Sequence, residues 1–267
     1  MQQNNYKSDL QQLFSPRLVN LMIAFLVAML FWQIMDFVAG MTEKGLPFAH
    51  PFFRVFGGEG VNGLIKVVAY TAFFYSLLEL RSKSQSLEHE KTAFGMDFLP
   101  QQDQLVLNPS EVADIKLRVL QFEQRGNHFL LNTLVKKCAT QFRNDESISD
   151  TIQVLDSQVE SQKNLHEGQL EETRYIIQTI PMLGFIGTII ELTRSLAIVS
   201  DDSVRGKLLQ IMPGYMSKAF DATIVALVLT VILTLRYHKF LEEIDSFFAR
   251  AKAFVLDNLI SRIYRHG

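Results

Sequence analysis

One cysteine, Cys138, occurs in the 267 residues, so an internal disulfide and a CxxC metal knuckle are both excluded. A lone thiol is compatible with a reducing cytoplasm and reads as a buried side chain. Charge is scarce as well: Asp, Glu, Lys and Arg make up 20% of the chain, the net charge is -2, and no long basic run offers a footprint for a phosphate backbone. Nucleic acid is therefore set aside as a partner. The six histidines are scattered, "HEGQL" lacks the second histidine of HExxH, and no GxSxG elbow occurs. An enzyme reading has no catalytic group, no metal ligands and no cofactor motif to work with, and His166 reads as a solvated helix residue. Apolar residues are what the chain has in quantity. They make up 48% of it, with 21 phenylalanines, too many for an ordinary soluble domain and suited to a membrane protein with a water-exposed part.

Residues 18–35 run without a charge behind Ser15-Pro16, a cap followed by the proline of a first helical turn, which predicts a spanning helix over about 17–38. It is too long for a signal-peptide core, and no small-residue cleavage site follows it. A second span is expected over 61–80, although its uncharged centre between Lys66 and Glu79 is short unless both side chains snorkel to the headgroups. The "LPFAHPFFRVFGGEG" between them reads as a loop at the membrane interface.

Residues 81–174 turn polar and predict a water-exposed helical insert. Asn108-Pro109-Ser110-Glu111 combines a cap, a first-turn proline and an acid three residues on, and starts a helix expected to reach about Arg143. Ser147 with Asp150 repeats the device, and Ile148, Ile152, Leu155 and Val159 follow as an amphipathic stripe with no obvious stop before the membrane. The third span is expected over 175–199, a periplasmic link over 200–213, the fourth span over 214–236 and an amphipathic helical tail over 237–267. Leu241, Ile244, Phe248, Ala251, Val255 and Leu259 of the tail should pack on the stripe of the insert. Lys7, Arg17, Arg81, Lys83, Arg174, Arg236 and Lys239 flank one side of the membrane, against Lys44, Arg54, Arg205, Lys207 and Lys218 on the other. Both termini and the insert come out cytoplasmic under the positive-inside rule.

Two spans carry more polarity than lipid should accept. On the third, Pro181, Gly184, Gly187, Thr188, Glu191 and Ser195 share a face; on the fourth, Ala219, Ala222, Thr223, Ala226, Thr230 and Thr234 do the same. Small-residue seams between packed helices would account for both. The sharper reading is a lined ion path, because a hydroxyl in hydrocarbon needs a polar neighbour or water. Asp36, Lys66, Glu191, Arg194 and Asp221 all fall in the outer third of the spans, where a belt of ion pairs competes with a role in ion transfer. Asp221 lies off the Thr223 stripe and should face Lys66, Lys218 or a neighbouring subunit.

The stripes resemble the MotA/TolQ/ExbB family of ion-driven channel subunits. The resemblance is carried by Pro-x-Leu-Gly-x-x-Gly-Thr, here Pro181, Leu183, Gly184, Gly187 and Thr188, and by an Ala-Phe-x-Thr-Thr-x-x-Ala-Leu pattern beginning at Ala219, in which Ala222 stands for the first threonine. It implies an all-α membrane protein with four transmembrane helices, the third and fourth extending into a cytoplasmic helical bundle, in a homopentamer in the bacterial inner membrane. It also implies two single-span partners similar to MotB, TolR or ExbD, whose aspartate carries a proton or sodium ion through a motor stator. Thr188, Thr223, Gly184, Gly187, Ala222, Ala226 and Thr230 would line the path, the glycines admitting the partner helix. A non-conducting membrane scaffold or receptor with a helical interaction domain is the alternative.

Overall fold

The computed structural model describes residues 16–45, 50–58, 60–96, 99, 107–199 and 208–263. Its helices are α1 (Pro16–Gly45), α2 (His50–Phe56), α3 (Gly60–Lys91), α4 (Pro109–Gln124), α5 (Leu130–Asp145), α6 (Ile148–Gly168), α7 (Glu171–Val199) and α8 (Leu208–Asn258), with short 3-10 turns at Thr92–Gly95 and Ile260–Arg262. Among the described residues no strand forms, and Leu107 and Ile263 make an isolated bridge. Among the described residues, four helical stretches are long and apolar enough to cross a membrane, within Arg17–Thr42, Asn62–Gly95, Ile148–Ala197 and Met216–Arg262. Contacts divide the chain into two units, residues 1–81 with 172–237 and residues 82–171 with 238–267.

In the first unit α1 buries a narrow face. Ala24 and Ala28 are fully buried one turn apart, while Met22, Leu26, Leu30 and Phe37 around them stay exposed, as a helix ringed by hydrocarbon requires. Beside that face Phe31 meets the rings of Tyr70 and Phe74 edge-on at 5.0 and 5.9 Å, and the Tyr70 hydroxyl donates to the Phe56 carbonyl at 2.6 Å. The stretch read as an interfacial loop contains α2 instead, seven residues of helix too short to span. Gly58 turns the chain away from it at φ +110, a conformation that glycine adopts without a Cβ penalty, and its carbonyl accepts from Trp32 Nε1 at 3.1 Å.

The second unit is a helical bundle built on the stripes that the sequence presents. On α5, Leu131, Leu134, Val135, Cys138 and Phe142 are buried at helical spacing, and burial pushes the Cys138 thiol up to about 12. Glu111 reaches back to the amide of Asn108 at 2.7 Å, and Ser147 accepts from the amide of Asp150 at 3.3 Å, so both helix starts use the caps read from sequence. The tail packs on the insert: Ile244, Phe248, Ala251, Val255 and Leu259 are buried, the Phe248 ring meets His166 edge-on at 5.4 Å, and Asp156 and Asp245 pair with Lys252 and Lys163 at 2.8 and 2.6 Å. His166 is therefore half-buried against an aromatic ring, with Nδ1 3.0 Å from its own helix's Gln162 carbonyl, rather than solvated.

Three helix boundaries differ from the expectation. The helix from Pro109 ends at Gln124, because Gly126 takes φ +89 and its amide turns back to Glu123 at 2.9 Å, a left-handed stop that ends a helix cleanly. A new helix then starts at Leu130, whose amide is held by Glu90 at 2.7 Å. The amphipathic α6 does not run on unbroken, since Gln169 and Leu170 form a turn behind Gly168 before α7 begins. The fourth helix starts at Leu208, inside the stretch read as a link. Residues 200–207, with Arg205 and Lys207, and Lys7 lie outside the described residues.

Candidate functional site

The two polar stripes face each other. A Cβ placed on Gly184 of α7 would stand 2.6 Å from Ala226 Cβ, 3.0 Å from Thr223 Cα and 3.1 Å from the Ala222 carbonyl oxygen, all on α8. One on Gly187 would stand 2.8 Å from Ala222 Cβ. Glycine is required at both positions because the neighbouring helix already fills the space a side chain would take. The missing Cβ atoms thus serve packing within the chain. The same close approach buries Ala222 and Ala226 in the seam.

Within the seam the hydroxyls find one another. Thr188 Oγ1 and Thr223 Oγ1 are 2.5 Å apart, and Thr223 also donates to the Gly184 carbonyl across the helix pair at 2.9 Å. Thr188 also lies 3.3 Å from the Gly184 carbonyl, but the shorter 2.9 Å contact favours Thr223 donating to Gly184 and Thr188 donating to Thr223, which leaves a lone pair on Thr223 Oγ1. Thr188 is buried and Thr223 half-buried, so the second hydroxyl sits at the rim of the seam and the first inside it. Thr230 donates to the Ala226 carbonyl of its own helix at 2.7 Å, and Ser195 to that of Glu191 at 2.7 Å. A back-bond of this kind satisfies a hydroxyl in hydrocarbon without water, which weakens the argument that every threonine in the stripe needs a wet groove. The opposite faces are oily: Phe185, Ile186, Ile189 and Leu196 on α7 and Phe220, Ile224, Leu227 and Val231 on α8 are all exposed.

The charges gather around Lys66. Its side chain is 2% exposed and does not snorkel; Nζ donates to the carbonyls of Val55 and Gly57 at 2.7 and 2.8 Å, where the turn after α2 leaves them without helical partners. Glu79, at the other end of the same span, is also turned inward and accepts from Asn20 at 2.9 Å. Asp221 is buried and is the charge that acts most strongly on Lys66, with Glu191 and Asp36 further contributors of the same sign. Asp36 also accepts from the Gly58 amide at 3.3 Å. Arg194 stays outside this cluster, exposed, and meets Glu191 one turn back on its own helix at 3.6 Å.

Two residues of the cluster escaped the sequence reading. Arg54 acts on both Lys66 and Asp221. Asn62 is 7% exposed, donates to the Lys218 carbonyl at 3.0 Å and lies against Gly187, so it ties the second span to both striped helices. Its position four residues before Lys66, hence on the same face, was the available signal.

Residues 124–253 match the sequence model of the MotA/TolQ/ExbB proton channel family, a stretch that contains the seam and about half of the second unit. No curated protein matches the chain.

Proposed function

Because residues 124–253 match the model of the MotA/TolQ/ExbB proton channel family, we propose that the chain is the channel-forming subunit of an ion-driven rotary motor in the inner membrane. On this reading five copies surround two single-span partner chains similar to MotB, TolR or ExbD, with the termini and helical insert cytoplasmic. The partner's aspartate picks up and releases a proton or sodium ion. The chain itself supplies positioned hydroxyls and a low-dielectric wall.

The observation that carries the proposal is the Thr188–Thr223 pair. The Gly184 carbonyl holds the Thr223 hydroxyl, Thr188 donates to that same hydroxyl oxygen, and the half-buried Thr223 keeps an acceptor site at the rim of the seam. A protonated carboxyl of the partner, or a water beside it, could donate to that oxygen. Gly184, Gly187, Ala222 and Ala226 act behind it by holding the two helices close enough for the pair to form. Each elementary charge crossing 100 mV yields about 2.3 kcal/mol, so several transfers per power step are needed. Asp36, Lys66, Glu191 and Asp221 are assigned to holding the outer end of the bundle together.

Thr223→Val, expressed with the cognate partner, tests this. The valine keeps the shape and removes the hydroxyl, so ion-driven activity should be lost while the complex still assembles. Full activity of the variant would favour a scaffold with no ion flux.

A further inference from the structure

Within the first unit, α1, α3 and α7 enclose a side cleft of 430 Å³, a volume in the range of clefts that hold small ligands, ~300–1,000 Å³. Its walls are mostly apolar, formed by Leu18, Leu21, Val68, Ala72 and Ile176, and the one hydroxyl among them, that of Thr71, donates to the Val67 carbonyl of its own helix at 2.8 Å. Leu18, Leu21 and Val68 are themselves exposed, so the cleft opens toward the surroundings of the helices. One end alone is charged. There Arg17, the first residue of the first spanning stretch, stands 4.0 Å from Glu172 on α7, with their side chains 74% and 45% exposed. Tyr75 donates to the other Glu172 oxygen at 2.9 Å and fixes the carboxylate.

This polarity matches a lipid in both depth and sign. Arg17 and Glu172 lie at the ends of their apolar stretches, at headgroup level, while Val68 lies seven residues before Tyr75 on α3. At 1.5 Å per residue the apolar wall descends about 10 Å into a hydrocarbon core of about 30 Å. A cation and an anion side by side complement a zwitterion better than a headgroup of one sign. We propose that the cleft binds a membrane phospholipid with a primary-amine headgroup. Its phosphate lies on Arg17, its ammonium donates to Glu172, and one acyl chain runs along Leu21 and Val68. A quaternary choline ammonium has no N–H to donate, and a glycerol headgroup offers no cation to the carboxylate.

Native mass spectrometry of the purified full chain, after exchange into equal amounts of phosphatidylethanolamine, phosphatidylcholine and phosphatidylglycerol, tests this. The ethanolamine lipid should be retained about fivefold over either competitor, the ratio that one exposed charge pair gives. Glu172→Gln should reduce that preference to near unity while phospholipid still binds, and Arg17→Ala should lower retention of all three. Ala72→Trp should fill the cleft and displace the lipid with helicity unchanged by circular dichroism. Equal retention of the three lipids by the unaltered chain would overturn the proposal. Undiminished binding in Ala72→Trp would do the same, as would a structure with residues 1–15 or a second copy of the chain seated in the cleft.

Discussion

The seam between α7 and α8 can be tested by exchanging side chains across it. A new Cβ on Gly184 meets Ala226 Cβ at 2.6 Å, about 1 Å inside ordinary carbon contact of ~3.5–4.0 Å. The Thr223 Cα and the Ala222 carbonyl, at 3.0 and 3.1 Å, are backbone and cannot rotate away. Glycine to alanine in a helix interior is by itself favourable by ~1 kcal/mol, whereas overpacking of this kind costs ~1–3 kcal/mol. Separating the helices by about 1 Å would also stretch the 2.9 Å bond from Thr223 to the Gly184 carbonyl beyond hydrogen-bond range, a further loss of ~0.6 kcal/mol in a membrane bundle. Gly184→Ala should therefore be net destabilising by about 1–2 kcal/mol. Gly187→Ala should cost less, because its close contact is Ala222 Cβ at 2.8 Å and the next atoms are at 3.6 and 3.7 Å. The second-site changes then separate the positions. Ala222→Gly should restore Gly187→Ala almost fully, since it removes the one short contact and the two helices merely exchange a methyl group. Ala226→Gly should rescue Gly184→Ala only in part, because the backbone contacts remain. Unfolding in mixed micelles with increasing denaturing detergent measures all four variants. A Gly184→Ala protein as stable as the parent, or full rescue by Ala226→Gly, would refute the close packing from which the costs are worked.

Lys66→Met should be destabilising by ~1–3 kcal/mol, because it leaves two buried carbonyls without a donor and removes a positive charge that acts on the buried Asp221 carboxylate. Lys66→Met with Asp221→Asn should recover part of the loss in the same detergent titration, and a double variant worse than the single one would sink the coupling. Cys138 should resist maleimide at neutral pH in the folded chain and react once it is unfolded. Its folded thiol holds a proton up to about 12 against an ordinary 9.0. The burial contributes stability that is fully present below pH 9 and is lost as pH rises toward about 12. Cys138→Ala should show a flatter loss of stability across that window, and an unchanged slope would dismiss the thiol as its source.

The helical periods, the caps and the two stripes themselves were legible because each is a local or same-face property. Asn108 with Glu111 and Ser147 with Asp150 announce helix starts within four residues, and the tail stripe ending at Leu259 repeats at helical spacing. Stops were harder to read. Gly126 and Gly168 differ from other glycines only in the backbone angle or turn that the fold imposes, and nothing in their neighbours' composition announces it. Least legible was the direction of charged side chains. Lys66 and Glu79 stand where snorkelling is the default, yet carbonyls freed at the turn after α2 and the amide of Asn20 on another helix draw them inward. Such partners lie between 9 and 59 residues away in sequence, beyond the reach of a spacing argument.

The two readings of the stripes, packing seam and ion path, are not exclusive once the bonds are followed. A hydroxyl left to hydrocarbon satisfies itself on its own helix, as Thr230 does through the Ala226 carbonyl. Thr223 instead reaches across to Gly184 and accepts from Thr188, which is open to it only because residue 184 has no side chain. Close packing is thus the condition for a hydroxyl oxygen held at the rim in one orientation, with a lone pair to spare. Such an oxygen costs little to reorganise when a neutral carboxyl meets it, and preorganised acceptors of this kind are what an ion-exchanging partner needs from its wall. If the glycines served packing alone, a valine at position 223 would fill the same space and leave activity intact; the proposed motor requires the oxygen itself.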